Sequence, residues 1–470
     1  MGAQGSSVGS VSAIRGPVER HRAAAADLRA RYARLPEGHR VRLAKPTSNL
    51  FRFRDSADRV SRLDAGALGE VLHVDPEART ATVQGMTTYE RFVDATLPHG
   101  LMPHVVPQLK TITVGGALAG LGIESSSFRN GLAHESVLEV EVLTGDGRLV
   151  TATPDNEHAD LFAGLPNSYG TLGYAVSLKV ELQPVRRYVA LRHLRFADAA
   201  GCAEAIAGIC RDGSHQGEPV DFLDGTVFGA GEQYLTLGRF TDEAAQPPSD
   251  YTGQRIYYRS IQSRAEDVLT TRDYLWRWDT DWFWCSRALG AQHPLGRRLW
   301  PRRYRRSDTY RRLVALDRRY GFSGRVRGWQ GLPPEEPVIQ DIEVPVERLP
   351  EFLDAFHADI GISPVWLCPV RLRNPAGWPL YPMEPGRLYV NVGFWSAVPL
   401  VDGQEMGTHN RRIERLVADL DGHKSLYSDS YYTAEEFDRH YNGPAYRVLK
   451  KGYDPAGRLP DLYDKCVRER

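Results

Sequence analysis

Residues 104–127, HVVPQLKTITVGGALAGLGIESSS, decide how the chain is read. Threonines lead into the pair Gly115-Gly116, Gly120 and Gly122 follow, and three serines close the run. So little side chain leaves backbone N–H groups and hydroxyls open to a ligand lying along the main chain, and such groups bind phosphate. The spacing from Gly116 to Gly122 is G-x-x-x-G-x-G, not the G-x-G-x-x-G of a Rossmann turn, and the expected strand-before, helix-after context is missing. The stretch reads as a glycine-rich cradle outside any Rossmann domain.

Working outward, 17–35 reads as an Ala/Arg-rich amphipathic helix bracketed by Pro17 and Pro36. A short strand at 41–54 enters a Pro-Thr-Ser-Asn turn able to hold backbone groups or phosphate. Alternation predicts strands over 70–76 and 80–85, a helix over 87–97, and a hairpin over 138–154 around Gly145-Asp146-Gly147. A helical turn at 160–165 precedes a second glycine turn, Gly170-Thr171-Leu172-Gly173, which runs into a strand ending near 185. Beyond Arg186 a new sheet begins, with strands near 187–196, 222–228, 234–240, 338–349, 365–373 and 387–395. Helices are expected over 198–210, 350–359 and 408–420. Many short strands with few helices give an α+β fold whose ligand is held by loops at strand ends.

At 470 residues the chain is long for one core, so two domains are expected. Basic and acidic residues number 59 each, so no global field draws nucleic acid. Five scattered cysteines without a C-x-x-C pair argue against a disulfide framework and a zinc site, and no metal is expected. No signal-peptide core and no 18-residue apolar run is present, which with the cysteine usage suits a cytoplasmic protein. Residues 1–16 read as a disordered Gly/Ser leader, although Gly2 and Ser6 fit the loose myristoylation pattern.

The string V-x-P-x-L-x-x-I-T-V-G-G, ending at Gly116, resembles the PCMH-type FAD-binding domain of the vanillyl-alcohol-oxidase superfamily, and within it the delta-24 sterol reductase family. The likeness extends to Gly122-Ile123-Glu124-Ser125-Ser126-Ser127 with Gly131-Leu132, to Gly170–Gly173, to Val338–Asp341 with Val344-Pro345, and to Trp366-Leu367-Cys368-Pro369. It implies a two-domain fold: an FAD-binding domain over 17–186, an α/β cap over 187–420 that covers the flavin and takes substrate, and a segment 421–470 that returns to the FAD domain. The implied cofactor-binding residues are Lys45, Thr47, Ser48, Asn49, Thr113, Val114, Gly115, Gly116, Gly120, Gly122, Ile123, Glu124, Ser125, Ser126, Gly170, Thr171, Gly173 and Tyr174. The Lys-Pro-Thr-Ser-Asn turn departs from the family's glycine-rich loop. Many relatives attach FAD through a histidine; Glu124 stands at the matching position, which implies non-covalent FAD.

Flavin would supply hydride, so the protein must orient substrate and manage one proton. Candidates are Asp341 and Gln340 on a cap strand, Tyr389 and Asn391 in LYVNVG, and Tyr427 and Asp429 in the aromatic tail. Asp341 leads, because its segment matches the family block; Cys368 reads as a buried small residue. The expected reaction is reduction of a lipid carbon–carbon double bond with NADPH as donor. Seven lysines against 52 arginines, with abundant Ala and Gly, suit a GC-rich bacterial gene. That favours a methylene-branched fatty acyl chain over a sterol side chain. An oxidase or dehydrogenase of an alcohol on a lipid-linked sugar is the alternative, and would need a base in place of an acid.

Residues 276–306 hold five of nine tryptophans among many arginines. Three accounts stay open: inward-packed aromatics with solvated arginines, a peripheral contact with the inner face of a membrane, and nucleic acid, which neutral charge and the lack of a recognised binding fold disfavour. Oligomeric state is not legible.

Overall fold

The computed structural model describes residues 16–45, 51–52, 60–321, 325, 327, 329–401 and 403–467. The leader with its myristoylation pattern, and Thr47, Ser48 and Asn49, lie outside the described residues.

Two antiparallel sheets organise the chain, as the alternating stretches require. A parallel pair, β1 (Arg40–Ala44) and β2 (Val60–Asp64), precedes the first sheet. That sheet comprises β3 (Val71–Asp75), β4 (Thr80–Gln84), β5 (Leu101–Pro103), β6 (Val137–Thr144), β7 (Leu149–Ala152) and β8 (Gly173–Pro184). Its order is β3-β4-β8-β6-β7, with β5 also on β8. The twelve residues of β8 alternate buried and less buried side chains, so one face seats the core. The predicted hairpin over 138–154 is β6–β7, closed by Gly147 at φ 84°.

The second sheet has eight strands. They are β9 (Tyr188–Phe196), β12 (Phe222–Gly229), β13 (Glu232–Thr241), β14 (Glu266–Thr270), β15 (Glu335–Pro345), β16 (Val365–Val370), β17 (Tyr389–Pro399) and β18 (His423–Lys424); β10 (Ser214–His215) and β11 (Glu218–Pro219) form a separate small hairpin. The order is β14-β9-β13-β12-β16-β17-β15-β18, antiparallel throughout. Helices Ala199–Asp212, Leu349–Asp359 and Thr408–Asp419 cover one face through Ile206, Phe352, Phe356, Ile413 and Val417, all buried. The other face turns toward the first sheet. The tail comes back as helix Gly443–Tyr453 against helix Ala159–Gly164, and Arg458 C=O accepts from Val41 N–H at 2.7 Å.

One local reading is corrected. Residues 114–120, taken as an open cradle, form a helix. Thr113 caps it: its Oγ1 accepts from Gly116 N–H at 3.2 Å. Val114 and Gly115 donate their N–H groups to Thr87 and Gly85 carbonyls, each at 2.9 Å. Small residues serve close approach here. A Cβ on Gly85 would sit 1.9 Å from Ala175 O, so the chain crosses β8 at a distance only glycine permits. Gly85→Ala is expected to destabilise by about 1–3 kcal/mol through overpacking, read as a lowered midpoint in urea unfolding.

Candidate functional site

Where the two sheets meet, a cavity of about 1040 Å³ opens. One wall comes from β1, the Val114–Gly120 helix with the segment up to Ile123, and the turn at Gly170 and Gly173. The second sheet and the segment that follows β18 supply the other wall through Asp341, Trp366, Trp395, Ser425 and Tyr427.

The first wall is cationic. Arg40, Arg42, Lys45, Arg52, Arg62 and Lys465 line it, against Asp429 and an Asp464 already paired with Arg40 at 3.2 Å. Burial, and then the charge of Arg52, push the Lys465 ammonium well below its ordinary pKa. Arg52 stacks on Tyr169 at 4.5 Å and donates to Cys466 Sγ at 2.9 Å. Thr111 Oγ1, Arg42 Nε and Arg52 Nη2 are buried without a partner. Among the described residues the N–H groups of Leu121, Gly122 and Ile123 also find none. Leu121 is held at φ 61°, a conformation a leucine keeps only under external constraint. Gly120 admits no Cβ without meeting Tyr169 at 3.0 Å. Cations and free donors around a glycine-lined bed suit an elongated, polyanionic ligand.

Of the residues expected to hold cofactor, Lys45, Thr113, Gly115, Gly116, Gly120, Gly122, Ile123, Gly170, Gly173 and Tyr174 line the cavity. The Tyr174 hydroxyl is turned away, donating to Val41 O at 2.9 Å. Val114, Glu124, Ser125, Ser126 and Thr171 do not line it. Val114 is packed into the core by the helix, and Thr171 Oγ1 donates to Ser168 O. Ser126 donates to His104 O at 2.8 Å. Ser125 bonds Glu124 and Tyr274. The phosphate role expected of these serines is therefore withdrawn: the fold itself has claimed their hydroxyls, a backbone carbonyl that of Ser126 and two side chains that of Ser125.

Glu124 belongs to a buried ion cluster that the sequence did not reveal. Arg277 Nη2 lies 2.6 Å from Glu124 Oε1 and 2.8 Å from Asp224 Oδ2, with all three side chains almost wholly inaccessible. The indoles of Trp278 and Trp366 both donate to Asp224 Oδ2 at 3.1 Å. Burial works against the Arg277 charge, yet the two carboxylates and Tyr274 hold it well above its ordinary pKa. Burial outweighs Arg277 at Glu124, whose carboxyl is raised. The cluster joins three separate stretches of chain. An arginine set between Trp276 and Trp278 was the available signal, since a cation in apolar sequence needs buried carboxylates.

Of the six candidates for proton chemistry, Asp341, Tyr427 and Asp429 line the cavity. Burial raises the Asp341 carboxyl to about 7, with the Asn391 amide and Tyr427 hydroxyl opposing. Tyr427 Oη accepts from Trp395 Nε1 at 2.6 Å. Gln340 is excluded: strand alternation turns it to the far face, where it donates to Asn410 Oδ1 at 2.5 Å. Tyr389 is buried beside Arg387 and His423, away from the cavity. Asn391 stands behind Asp341 and does not reach the cavity. Cys368 is fully buried, as expected of a small core residue.

Residues 37–153 match the family described as FAD binding domain. The delta(24)-sterol reductases of Homo sapiens and Arabidopsis thaliana are each 28% identical to this chain. The matches cover 85% and 87% of it and 77% of either relative. The chain is an FAD-binding oxidoreductase. Cytokinin dehydrogenase 6 of Oryza sativa subsp. japonica shares 32% identity over 29% of the chain and 24% of its own length. The cationic, glycine-lined wall of the oxidoreductase fits FAD, and its α+β fold is the two-domain arrangement expected.

The Trp/Arg segment resolves differently from a membrane anchor made of tryptophans. Trp276, Trp278, Trp282 and Trp284 are buried, and so are Arg277, Arg297 and Arg305. Arg297 pairs with Asp281 at 2.5 Å. These aromatics are core, and no described helix is long and apolar enough to cross a membrane. Arg277→Met should destabilise the protein by about 3–5 kcal/mol, because two carboxylates stay buried without their cation. Glu124→Gln should cost less, as Arg277 keeps Asp224; urea unfolding of both variants makes the comparison.

Proposed function

We propose that this oxidoreductase reduces a carbon–carbon double bond in a lipid, with a methylene-branched fatty acyl chain becoming its methyl-branched form and NADPH as electron donor. The observation that carries the reading is Asp341. Its carboxyl faces the cavity, half-buried, and no cation is among the groups that act on it, so near neutral pH a large fraction keeps its proton. An isolated alkene needs such an acid, because positive charge develops at the more substituted carbon as the other is protonated. Once reduced by NADPH, the flavin held in this cavity would supply the hydride for that carbon. Trp366, Trp395 and Ile123 offer a hydrocarbon chain an apolar surface, and Tyr427 fixes the indole of Trp395. The sterol reductases to which the chain is similar favour reduction of the same kind on a delta-24 sterol side chain as the second reading. Oxidation of an alcohol on a lipid-linked sugar fits less well, since Asp341 would then have to accept a proton while burial favours the form that already carries one.

In this reading Lys45, Arg52 and Lys465 meet the pyrophosphate of FAD, while Gly116, Gly120, Gly122, Ile123, Gly170 and Gly173 let it lie against the main chain. Glu124, bound to Arg277 and out of the cavity, forms no covalent link. Acid precipitation should leave the yellow colour in the supernatant; colour on the pellet overturns this point.

Asp341→Asn is expected to slow reoxidation of the pre-reduced enzyme by a methylene-branched acyl lipid about 100-fold or more, leaving flavin reduction by NADPH within a few-fold. Reoxidation by the native enzyme should fall as pH rises through about 7, where Asp341 loses its proton. Reoxidation by a keto compound and not by the alkene would establish the alcohol reading instead.

A peripheral membrane contact is proposed through a surface other than the tryptophans. Leu295 and Leu299, 66% and 83% exposed, stand one turn apart on helix Pro294–Leu299 beside exposed Arg298, Arg302 and Arg303. Leucines among arginines match the boundary of an anionic bilayer. The double variant Leu295→Asp with Leu299→Asp should lower co-flotation with phosphatidylglycerol vesicles at least about tenfold. Equal flotation of both proteins removes this surface.

A further inference from the structure

Asp341 has a second carboxyl behind it. Glu343 lies two residues along β15, on the same face, and is fully buried. Register sets it opposite Asn391 on β17 and opposite His423 on β18. Ser425 Oγ, whose residue lines the cavity, donates to Glu343 Oε1 at 3.3 Å. Ser425 N–H also holds Asp341 O at 3.0 Å, so one serine is tied to both acidic residues.

The groups facing Glu343 are Asp341 on its own strand, Asn391 on β17, His423 and Ser425 from β18 and the residues after it, and Tyr381 from the loop before β17. Among the described residues His423 is the one basic group within ion-pairing distance, 3.7 Å from Glu343 Oε2. Burial lowers the His423 pKa to about 3, so it is neutral and leaves the carboxyl without a counter-charge. Burial, and after it the Asp341 charge, raise Glu343 well above the ordinary carboxylate range. Asp341 Oδ1, Glu343 Oε2, both polar atoms of the Asn391 amide and His423 Nε2 are buried without a well-formed hydrogen bond. Five such atoms in one place are unusual in a folded interior, where unpaired polar groups are costly, and they set a line along which a proton passes directly or across a bound water.

We propose that Glu343 is the proton store that recharges Asp341 in each turnover. The inference rests on Asp341 being the donor in alkene reduction. In that step the Asp341 O–H bond breaks, the alkene electron pair forms the new C–H bond, and hydride from the reduced cofactor completes the other carbon. The Asp341 carboxylate then takes the proton of the Glu343 carboxyl directly or across a bound water, while the Ser425 hydroxyl holds Glu343 Oε1. Glu343 regains a proton from solvent, so each cycle consumes one hydride and one proton. Glu343 acts through Asp341 and does not touch substrate.

The test uses Glu343→Gln, a neutral isostere that preserves the packing. By infrared spectroscopy, the native protein at neutral pH should show, beside the carboxylic-acid carbonyl band that Asp341→Asn removes, a second such band that shifts in D2O and disappears in Glu343→Gln. A native protein without that band, or a variant that keeps it, overturns the proposal whatever the activity. With a phospholipid carrying a methylene-branched acyl chain, single-turnover reoxidation of dithionite-reduced variant should stay within about twofold of the native rate. Steady turnover under excess dithionite should drop about tenfold or more, since Asp341 is then recharged without its store. An equal loss in both measurements marks a structural role and overturns the proposal. If Asp341→Asn leaves reoxidation intact, the reduction reading fails; if Asp341→Asn abolishes it and Glu343→Gln changes neither rate, this inference alone fails.

Discussion

Everything above the flavin bed hangs on one buried guanidinium. Arg277 holds Glu124, at the end of the glycine-rich segment, and Asp224, on the central cap strand β12, while Trp278 and Trp366 complete the Asp224 oxygen. Two carboxylates and one guanidinium out of water are a poor source of net stability, because desolvation offsets the attraction. What such a cluster does provide is register. Its members have few acceptable alternatives once buried, so the cap can sit on the cofactor domain in few ways other than the one in which Glu124, Arg277 and Asp224 meet. Leu223 N–H, donating to Ser125 O at 2.7 Å, fixes the same junction through the backbone.

That register determines the chemistry available. Ile123 lines the cavity one residue before Glu124, and Trp366, which touches Asp224, lines it from the opposite wall. The β16–β17–β15 pairing then carries the position of Trp366 across Gly393 to Asp341. Gly393 matters at this point: a Cβ there would lie 2.4 Å from Asp341 Oδ1, so a larger residue would displace the carboxyl. The acid is thus located by sheet register and by a missing side chain, not by a loop. The role proposed for Asp341, protonating carbon, requires a geometry kept through turnover, and strand placement suits that.

Strand positions and the cofactor family were legible in the sequence because both are local. Alternation over 80–85 or 173–184 needs no knowledge of the rest of the chain, and the string ending at Gly116 carries its own likeness. The helix at 114–120 was missed for a physical reason: three of its seven residues, Gly115, Gly116 and Gly120, are glycines, and glycine is a poor helix former. Thr113 capping and the carbonyls of Thr87 and Gly85 override propensity there, and those partners lie far back in the chain. Asp341 led Gln340 on the family likeness of its segment; what separates the two physically is the face of β15 on which each falls. Arg277 and Glu343 were harder still, since their partners come from strands up to 153 residues away.

The cavity therefore has an electrostatic direction. Arg42, Lys45, Arg52 and Lys465 gather on the side of the cofactor domain, where burial and neighbouring cations depress even a lysine and a bound anion favours its charged form. The cap side carries carboxyls without cations, Asp341 and behind it Glu343, where burial favours the proton-bearing form. A phosphate-bearing cofactor is drawn to the first and repelled by any ionised form of the second, so its orientation follows from charge before any specific contact forms. The same separation protects the acid. A cation near Asp341 would pull its pKa down toward the ordinary carboxylate value and leave it deprotonated at neutral pH. Keeping the cations on the opposite wall lets one cavity hold a polyanion and still keep a carboxyl that favours its protonated form.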